Sequence, residues 1–448
     1  MVPYPSRLTP MLLVIRLPTD KGPVVRLAPN RYSILDAEAT KTILGHKTSM
    51  RKTDFYNSFA DPHESNLFTE RDNTVHATMR RPVAQLYSLT NLLAYEPAVD
   101  TCNSILLRRL RELAVSEKTF DVRCLMQYYA FDVIGEITVG SRFGLMEEKG
   151  DHDSIIEEII ASVYYGAYVG LLPGLHPWIC RIKTMLGRKT SIATVRDFTK
   201  KHLDNRIAGK TKLPEDRSDF LDKLLLLEEE GKATRRHTMT ACGQNIIAGS
   251  DTTAISLTSL IAHLATNPSA LTTLRREIDD ATAAKSLSHP ATLKEAQSLP
   301  YLQGVINEAL RLHPAVGFPI TRVVGPGGAH LAGRYFPAGT EVGINSWVVH
   351  YDTSIFGPDA SEFRPDRWIG RTAEERAAMD RNLIAFGSGP RTCIGKNISL
   401  MEMYKVLPQI VRNFDFEVVP DAATGAPWTN STAWFVWQNL QCRIRERA

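Results

Sequence analysis

Apolar residues recur at intervals of three and four over most of this chain, the spacing that lines one face of a helix. Residues 75–115 and 120–143 carry the pattern, as do 154–165, 190–208 and 218–229. The run Cys242 to Ala265 is apolar enough for a buried helix, but Asp251 and several Thr and Ser residues make it unfit to cross a bilayer. Leu302, Val305, Ile306, Ala309 and Leu310 form one helical stripe, which Pro314 ends because proline cannot continue the hydrogen-bond ladder. Val24 to Ile34 predicts two short strands around a Pro29–Asn30 turn, and 320–348 alternates between Gly-rich turns. Residues 350–392, rich in Pro, Asp and Gly, read as irregular; a helix is predicted again at Ile394–Phe414 and a strand at Trp434–Ile444. No repeat and no biased linker divides the chain. A single large, mainly α domain with small β-sheets is predicted.

Composition narrows the function classes. Of 448 residues, 43% are hydrophobic and 23% charged, the balance of a soluble globular protein. A net charge of +4, evenly spread, gives no basis for nucleic-acid binding. The six cysteines, at 102, 124, 180, 242, 393 and 442, include no C-x-x-C pair, which argues against a disulfide framework or a Cys-rich zinc site. Near the N-terminus the apolar stretch Met11–Ile15 is too short for a signal peptide or an anchor, so no transmembrane segment is predicted. Residues 164–179 are aromatic and apolar but broken by Gly and Pro. They read as a surface loop over the core, with peripheral membrane contact as the other reading.

The ten residues Phe386 to Gly395 carry the most chemistry. A lone cysteine, Cys393, is flanked by Gly389 and Gly395, as if backbone were held close to something flat. It falls at the start of a predicted helix, whose unpaired N–H groups would lower a thiol pKa and favour metal ligation. Phe386 can wall the site from water, and Arg391 can pair a carboxylate on a planar cofactor. The pattern F-x-x-G-x-R-x-C-x-G is similar at every defined position to the haem-binding loop of the cytochrome P450 family. The resemblance implies that Cys393 is the axial thiolate and metal ligand of a haem iron, with Phe386 packed near it and the Gly395 amide approaching the sulfur.

Other motifs follow in that family's order. Glu308 and Arg311 share a helix face at i, i+3, and Phe363-Arg364-Pro365-Asp366-Arg367 comes later. Taken alone, an exposed ion pair is the commoner explanation of such spacing. The resemblance implies instead a buried structural network of Glu308, Arg311 and Arg367 that locks 350–392 over the proximal side of the haem. Ala248-Gly249-Ser250-Asp251-Thr252-Thr253 puts poor helix formers inside a long helix. Asn245, Ala248, Gly249, Thr252 and Ser256 fall roughly on one face, small enough for a flat ring to lie against. The hexapeptide resembles the oxygen-activation motif, which implies that Thr252 holds the proton network and Asp251 relays protons from solvent as catalytic residues. His76, where the family more often has Trp, and Arg80 share a helix face. With Arg322 and Arg391 they stand where the family binds the haem propionates.

The resemblance covers 22–448 as one domain, with 1–21 unmatched, and is strongest toward fungal members of the pisatin demethylase-like group. It implies a monomeric haem-thiolate monooxygenase that uses dioxygen to oxidise a lipophilic small molecule of fungal secondary metabolism. Electrons would come from NADPH through a separate flavoprotein reductase, docked near Arg381, Lys396, Lys405 and Arg412. Family members reside inside the cell, on the cytosolic face of the endoplasmic reticulum. Asn245, Ala248, Val316, Phe318, Trp434 and Phe435 are expected to line the substrate pocket, joined by Tyr164 and Tyr165. An oxygen-independent haem-thiolate isomerase or dehydratase is a competing reading, against which Asp251 and Thr252 argue. An inactive truncated form is another. A haem sensor would need a second axial side chain, and Ala248–Thr253 offers no His, Met or Cys.

Overall fold

β1 (Val24–Ala28) and β2 (Arg31–Ile34) pair antiparallel across the Pro29–Asn30 turn and begin a five-stranded sheet. The structure, a computed structural model, describes residues 22–62, 64–151, 154–187, 193–213 and 218–447; the expected unmatched segment 1–21 lies outside the described residues. β3 (Arg51–Lys52), β4 (Ile320–Val323) and β5 (Glu341–Ile344) complete the sheet in the order β1-β2-β5-β4-β3. The β2–β5 pair is parallel and the rest are antiparallel.

Helices supply the core. In chain order, the ones that position the site are α1 (Ala37–Leu44), α2 (Asn73–Ala84), α3 (Glu96–Ser116), α4 (Val122–Val139), α5 (Ile155–Val169) and α6 (His176–Met185). They continue with α7 (Arg235–Thr266), α8 (Pro300–Leu312), α9 (Ala373–Asn382) and α10 (Lys396–Asn413). α7 starts at a capping box of Thr234 and His237 and runs for 32 residues through the centre. Its hydroxyls bond their own helix: buried Ser250, Ser256 and Thr258, and half-exposed Thr252, each donate to the carbonyl four residues back. α7 lies along α4 in the most extensive helix–helix contact of the fold. Gly249 permits that approach, since a Cβ there would come within 3.0 Å of the Ile134 side chain. Gly249 therefore serves α4 packing and not the flat-ligand face expected from its spacing.

Two expectations fail for physical reasons. The stretch 350–392 is not wholly irregular, because α9 sits inside it. Its capping box of Thr372 and Glu375 and its Ala, Glu and Arg residues favour helix without any apolar stripe, so periodicity is silent there. Residues 164–179 are likewise not a loop. Residues 164–169 close α5 and 176–179 open α6, with 170–175, including a short turn at Pro173–Leu175, forming the bend between them.

α10 is fastened to α3 by a buried charge. Lys405, 1% exposed, reaches Glu96 at 2.6 Å, Asp100 at 3.0 Å and the Ala291 carbonyl at 2.9 Å. Lys405 is thus spent inside the protein and unavailable to the docking face expected of it. Arg412 is half-buried and bonded at the surface to Ser288 O and Thr282 Oγ1. Replacing Lys405 by Met leaves two carboxylates facing each other without their cation. A loss of about 3 kcal/mol is expected in urea unfolding, against less than 1 kcal/mol for a comparable change at exposed Lys396.

Candidate active site

The loop before α10 is shaped by two glycines. Gly387 and Gly389 take φ of +73° and +66°, and a Cβ on Gly389 would fall 2.0 Å from the Leu44 carbonyl oxygen at the end of α1. This turn carries the chain back so that the Cys393 N–H donates to Phe386 O at 2.8 Å. Gly395 is under no such pressure. It has an ordinary φ, and an added Cβ would stand 3.9 Å from the Cys393 sulfur, while its N–H bonds to that sulfur.

Three hydrogen bonds hold this segment to α7 and its neighbours. Thr253 donates to Ser399 at 3.0 Å, Asn397 to the Tyr87 carbonyl at 3.1 Å, and the Tyr87 hydroxyl to Asn245 Oδ1 at 2.6 Å. Cys393 lies deep in the protein, yet its residue surface is accessible. On α7, Ala248 is also accessible and Thr252 half so, although the helix around them is buried. The accessible cysteine and the accessible small face of α7 mark an interior hollow. Asn245 turns its Nδ2 away from Tyr87 with no partner among the described residues.

Burial pushes the Cys393 thiol up, against the pull of the Gly395 and Lys396 N–H groups and the Arg80 and Lys396 charges. The helix start alone therefore does not make the thiolate expected from sequence; a bound cation would. Among the described residues no group of three His, Cys, Asp or Glu could hold a bare ion. A metal at Cys393 thus requires a cofactor that brings its own ligands.

Cations crowd one side of the hollow. His76 and Arg322 are buried, and Arg80 and Arg391 partly so. Lys52, which the sequence reading missed, is buried directly opposite Arg322 in the β3–β4 register. Like charges opposed across a ladder repel. Burial drives Lys52 well below the usual amine range, and Arg322 and Arg391 add to the shift. His76 is pushed down to about 3, first by burial and then by Arg391, Lys52, Arg80 and Arg322, so it stands neutral and can donate one N–H. Arg80 donates to the Thr392 carbonyl at 2.9 Å. Arg391 is largely spent on the Glu70, Arg71 and Asp72 carbonyls and on Asn73 Oδ1, so it clamps the start of α2 and contributes mainly charge to the hollow. A flat ligand with a metal for Cys393 and carboxylates for these cations matches the donor set, and haem is such a ligand.

Glu308, Arg311 and Arg367 come together with almost no exposure. Arg311 grips Glu308 through two bonds of 2.7 and 2.8 Å, Arg367 adds one at 3.2 Å and Trp368 Nε1 one at 2.8 Å. The remaining guanidinium N–H groups hold the carbonyls of His350, Phe356, Asp359, Ala360 and Glu362.

The expected pocket residues divide. Val316 and Phe318 are half-buried, and Phe318 stacks on Phe55 at 5.7 Å. Trp434 is the hub of an aromatic cluster with Phe55, Tyr56, Phe59, Phe68 and Phe318, and Phe435 is buried beside Trp437. Tyr164 stacks on Trp437, whereas Tyr165 is drawn to His176 by a 2.8 Å hydrogen bond. Asp251 is wholly buried and faces α4.

Residues 13–439 match the family described as Cytochrome P450. The chain is 40% identical over 442 residues to a pisatin demethylase of Fusarium vanettenii, covering 97% of this chain and 85% of that protein. It is 35% identical over 448 residues to the cytochrome P450 monooxygenase gsfF of Penicillium aethiopicum, covering 95% and 86% respectively. A cytochrome P450 monooxygenase of Aspergillus terreus is 33% identical over 411 residues, covering 88% and 82%.

His350 makes the stability of this site depend on pH. Its Nδ1–H donates to Arg311 O at 2.8 Å and its Nε2 accepts the Ile384 N–H at 2.9 Å, which requires the neutral ring. Burial pushes it down from 6.5 to about 3. The associated stability is complete above about pH 6.5 and is lost at about 1.4 kcal/mol per pH unit as pH falls toward 3. His350→Gln, which cannot titrate, should lose correspondingly less between pH 6.5 and 4 in urea midpoints. Parallel profiles would show that His350 is not held neutral.

Proposed function

The chain belongs to the cytochrome P450 family and is a monooxygenase; from that premise we propose that it oxidises a lipophilic small molecule of fungal secondary metabolism at a haem held by Cys393. The observation that carries this reading is the accessible Cys393 deep in the protein, in a segment tied to α7 through Ser399 and Thr253 and standing beside a cluster of cations. When bound, haem supplies a thiolate-ligated iron that binds and reductively activates dioxygen. Arg80, Arg322, Lys52 and neutral His76 would bind its carboxylates, and Arg391 would keep α2 in place. Thr252 holds its hydroxyl on the Ala248 carbonyl at 2.8 Å, ready to orient a proton donor on that face. Asn245 Nδ2, buried and without a partner among the described residues, would supply one hydrogen bond to a substrate oxygen that reached it, and the aromatic cluster around Trp434 offers the apolar wall. Electrons would come from NADPH through a separate flavoprotein reductase. Exposed Arg381 and Lys396 border a broad surface cavity whose other cations Lys41, Arg364 and Arg371 are paired with Glu38, Asp359 and Glu375, so docking of an acidic partner there would fall to Arg381 and Lys396.

The test is the difference spectrum of the reduced protein with and without carbon monoxide. A strongly red-shifted Soret band is expected for the parent and none for Cys393→Ala. Retention of the band by that variant would assign the iron to another ligand.

A membrane-surface location is the second part of the reading. Among the described residues no single helix is long and apolar enough to cross a membrane. α5 and the segment Pro173–Met185 are bent by 118°. Around that bend Leu171, Leu172, Leu175, Trp178, Ile182 and Met185 are exposed, flanked by Arg181 and Lys183. Such a patch fits an interface between headgroups and acyl chains, here the cytosolic face of the endoplasmic reticulum. Leu172→Asp with Leu175→Asp should weaken co-flotation with phosphatidylcholine–phosphatidylserine vesicles by at least about tenfold. Equal flotation would remove the patch from membrane contact.

A further inference from the structure

Asp251 and Thr252 are neighbours in sequence but diverge by about 100° around α7. Thr252 faces the hollow, while Asp251, with no exposure, faces α4 and accepts from Gln127 Nε2 at 2.6 Å. Its other oxygen, Oδ2, has no partner among the described residues. One turn back along α4 stands half-buried Arg123, whose Nη1 donates to Asn439 Oδ1 at 3.1 Å and whose guanidinium lies 5.5 Å from the Trp437 ring. Its Nε also has no partner among the described residues. Asn439 in turn donates to Thr429 at 3.2 Å and to Ser431 at 2.9 Å, on the partly exposed strand Thr429–Thr432. The polar groups thus run Thr429 and Ser431, Asn439, Arg123, Gln127, Asp251, from partly exposed to fully buried. Buried polar atoms without protein partners are the usual places of ordered water, and two of them lie on this file.

We propose that this file is the route by which solvent protons reach the oxygen-activating site, and that Gln127 is the positioning residue that holds Asp251 onto it. The proposal rests on the monooxygenase reading. Substrate RH, dioxygen, two electrons and two protons give ROH and water; the reductase supplies the electrons and the file supplies the protons. Asp251 takes a proton at its outward side, releases Gln127 as the carboxyl rotates, and passes the proton toward the Thr252 hydroxyl. Burial raises the Asp251 carboxyl to about 6, offset by the Gln127 hydrogen bond and the Arg123 charge, so it can both take and give a proton near neutrality. The helix face of α4 that packs on Asp251 brings Gln127 and Arg123 to it, and Arg123 is the charged group acting there.

The experiment compares the parent with Gln127→Leu, Arg123→Met and Asp251→Asn as full chains loaded with haem and supplied with reductase and NADPH. Gln127→Leu should divert electrons to released hydrogen peroxide, cut product per NADPH by roughly tenfold or more, and raise the solvent deuterium isotope effect. Turnover driven by added hydrogen peroxide, which brings its own protons, should fall far less. Independently of turnover, the infrared C=O band of protonated Asp251, identified by its loss in Asp251→Asn, should titrate at higher pH in Gln127→Leu, because the bond favouring the carboxylate is gone. Arg123→Met should move both readouts in the same direction and spares the buried contact, so it stands in if Gln127→Leu fails to fold. Parent-like coupling, isotope effect and infrared titration in these variants, with coupling lost in Asp251→Asn, would overturn the route. Parent-like coupling in Asp251→Asn as well would overturn the oxygen-activation reading itself.

Discussion

One buried carboxylate holds the cysteine side of this molecule in place. Glu308 has no contact with water and would be costly to bury unless every lone pair were met. Arg311, Arg367, Trp368 and the Arg364 N–H meet them. Each arginine then uses its remaining donors on carbonyls between His350 and Glu362, in a region whose backbone has few regular partners. The loop that presents Cys393 comes after this region, beyond α9. Its geometry depends on charges that stabilise each other and do little chemistry themselves.

The opposite imbalance marks the other side of the hollow. Lys52 against Arg322, with Arg80, Arg391 and a neutral His76 nearby, concentrates positive charge where the fold supplies carbonyls but few carboxylates. Such an arrangement weakens the fold on its own and is relieved by an anionic ligand. The distal face of α7 shows a third device. The Thr252 hydroxyl closes on its own helix, which leaves Ala248 and Thr252 as a small, mostly apolar surface beside the buried amide of Asn245, unpartnered among the described residues.

Much of the fold was legible from the chain. Helical periodicity located α3, α4, α7, α8 and α10, and Pro29–Asn30 and Pro314 placed a turn and a stop. α9 was hidden because a solvent-facing helix made of Ala, Glu and Arg needs no apolar stripe. The pattern over 154–165 finds most of α5, but its end and the start of α6 read as a loop because glycine and proline mark a bend as well as an end. The lone Lys52 gave no signal, since a two-residue strand has no period.

Sequence by itself determined which chemistry the chain carries: a cysteine between glycines, an acid beside a threonine inside a helix, a carboxylate three residues before an arginine. These are short-range features, and neighbouring residues suffice to state them. Tertiary structure alone decided how each group is spent. Arg391 turned out to clamp a helix start, Lys405 to fasten α10, and Asp251 to face Gln127 and not Thr252's hollow. Partners for such groups come from segments over a hundred residues away, and only packing brings them within the 3 Å at which a hydrogen bond acts.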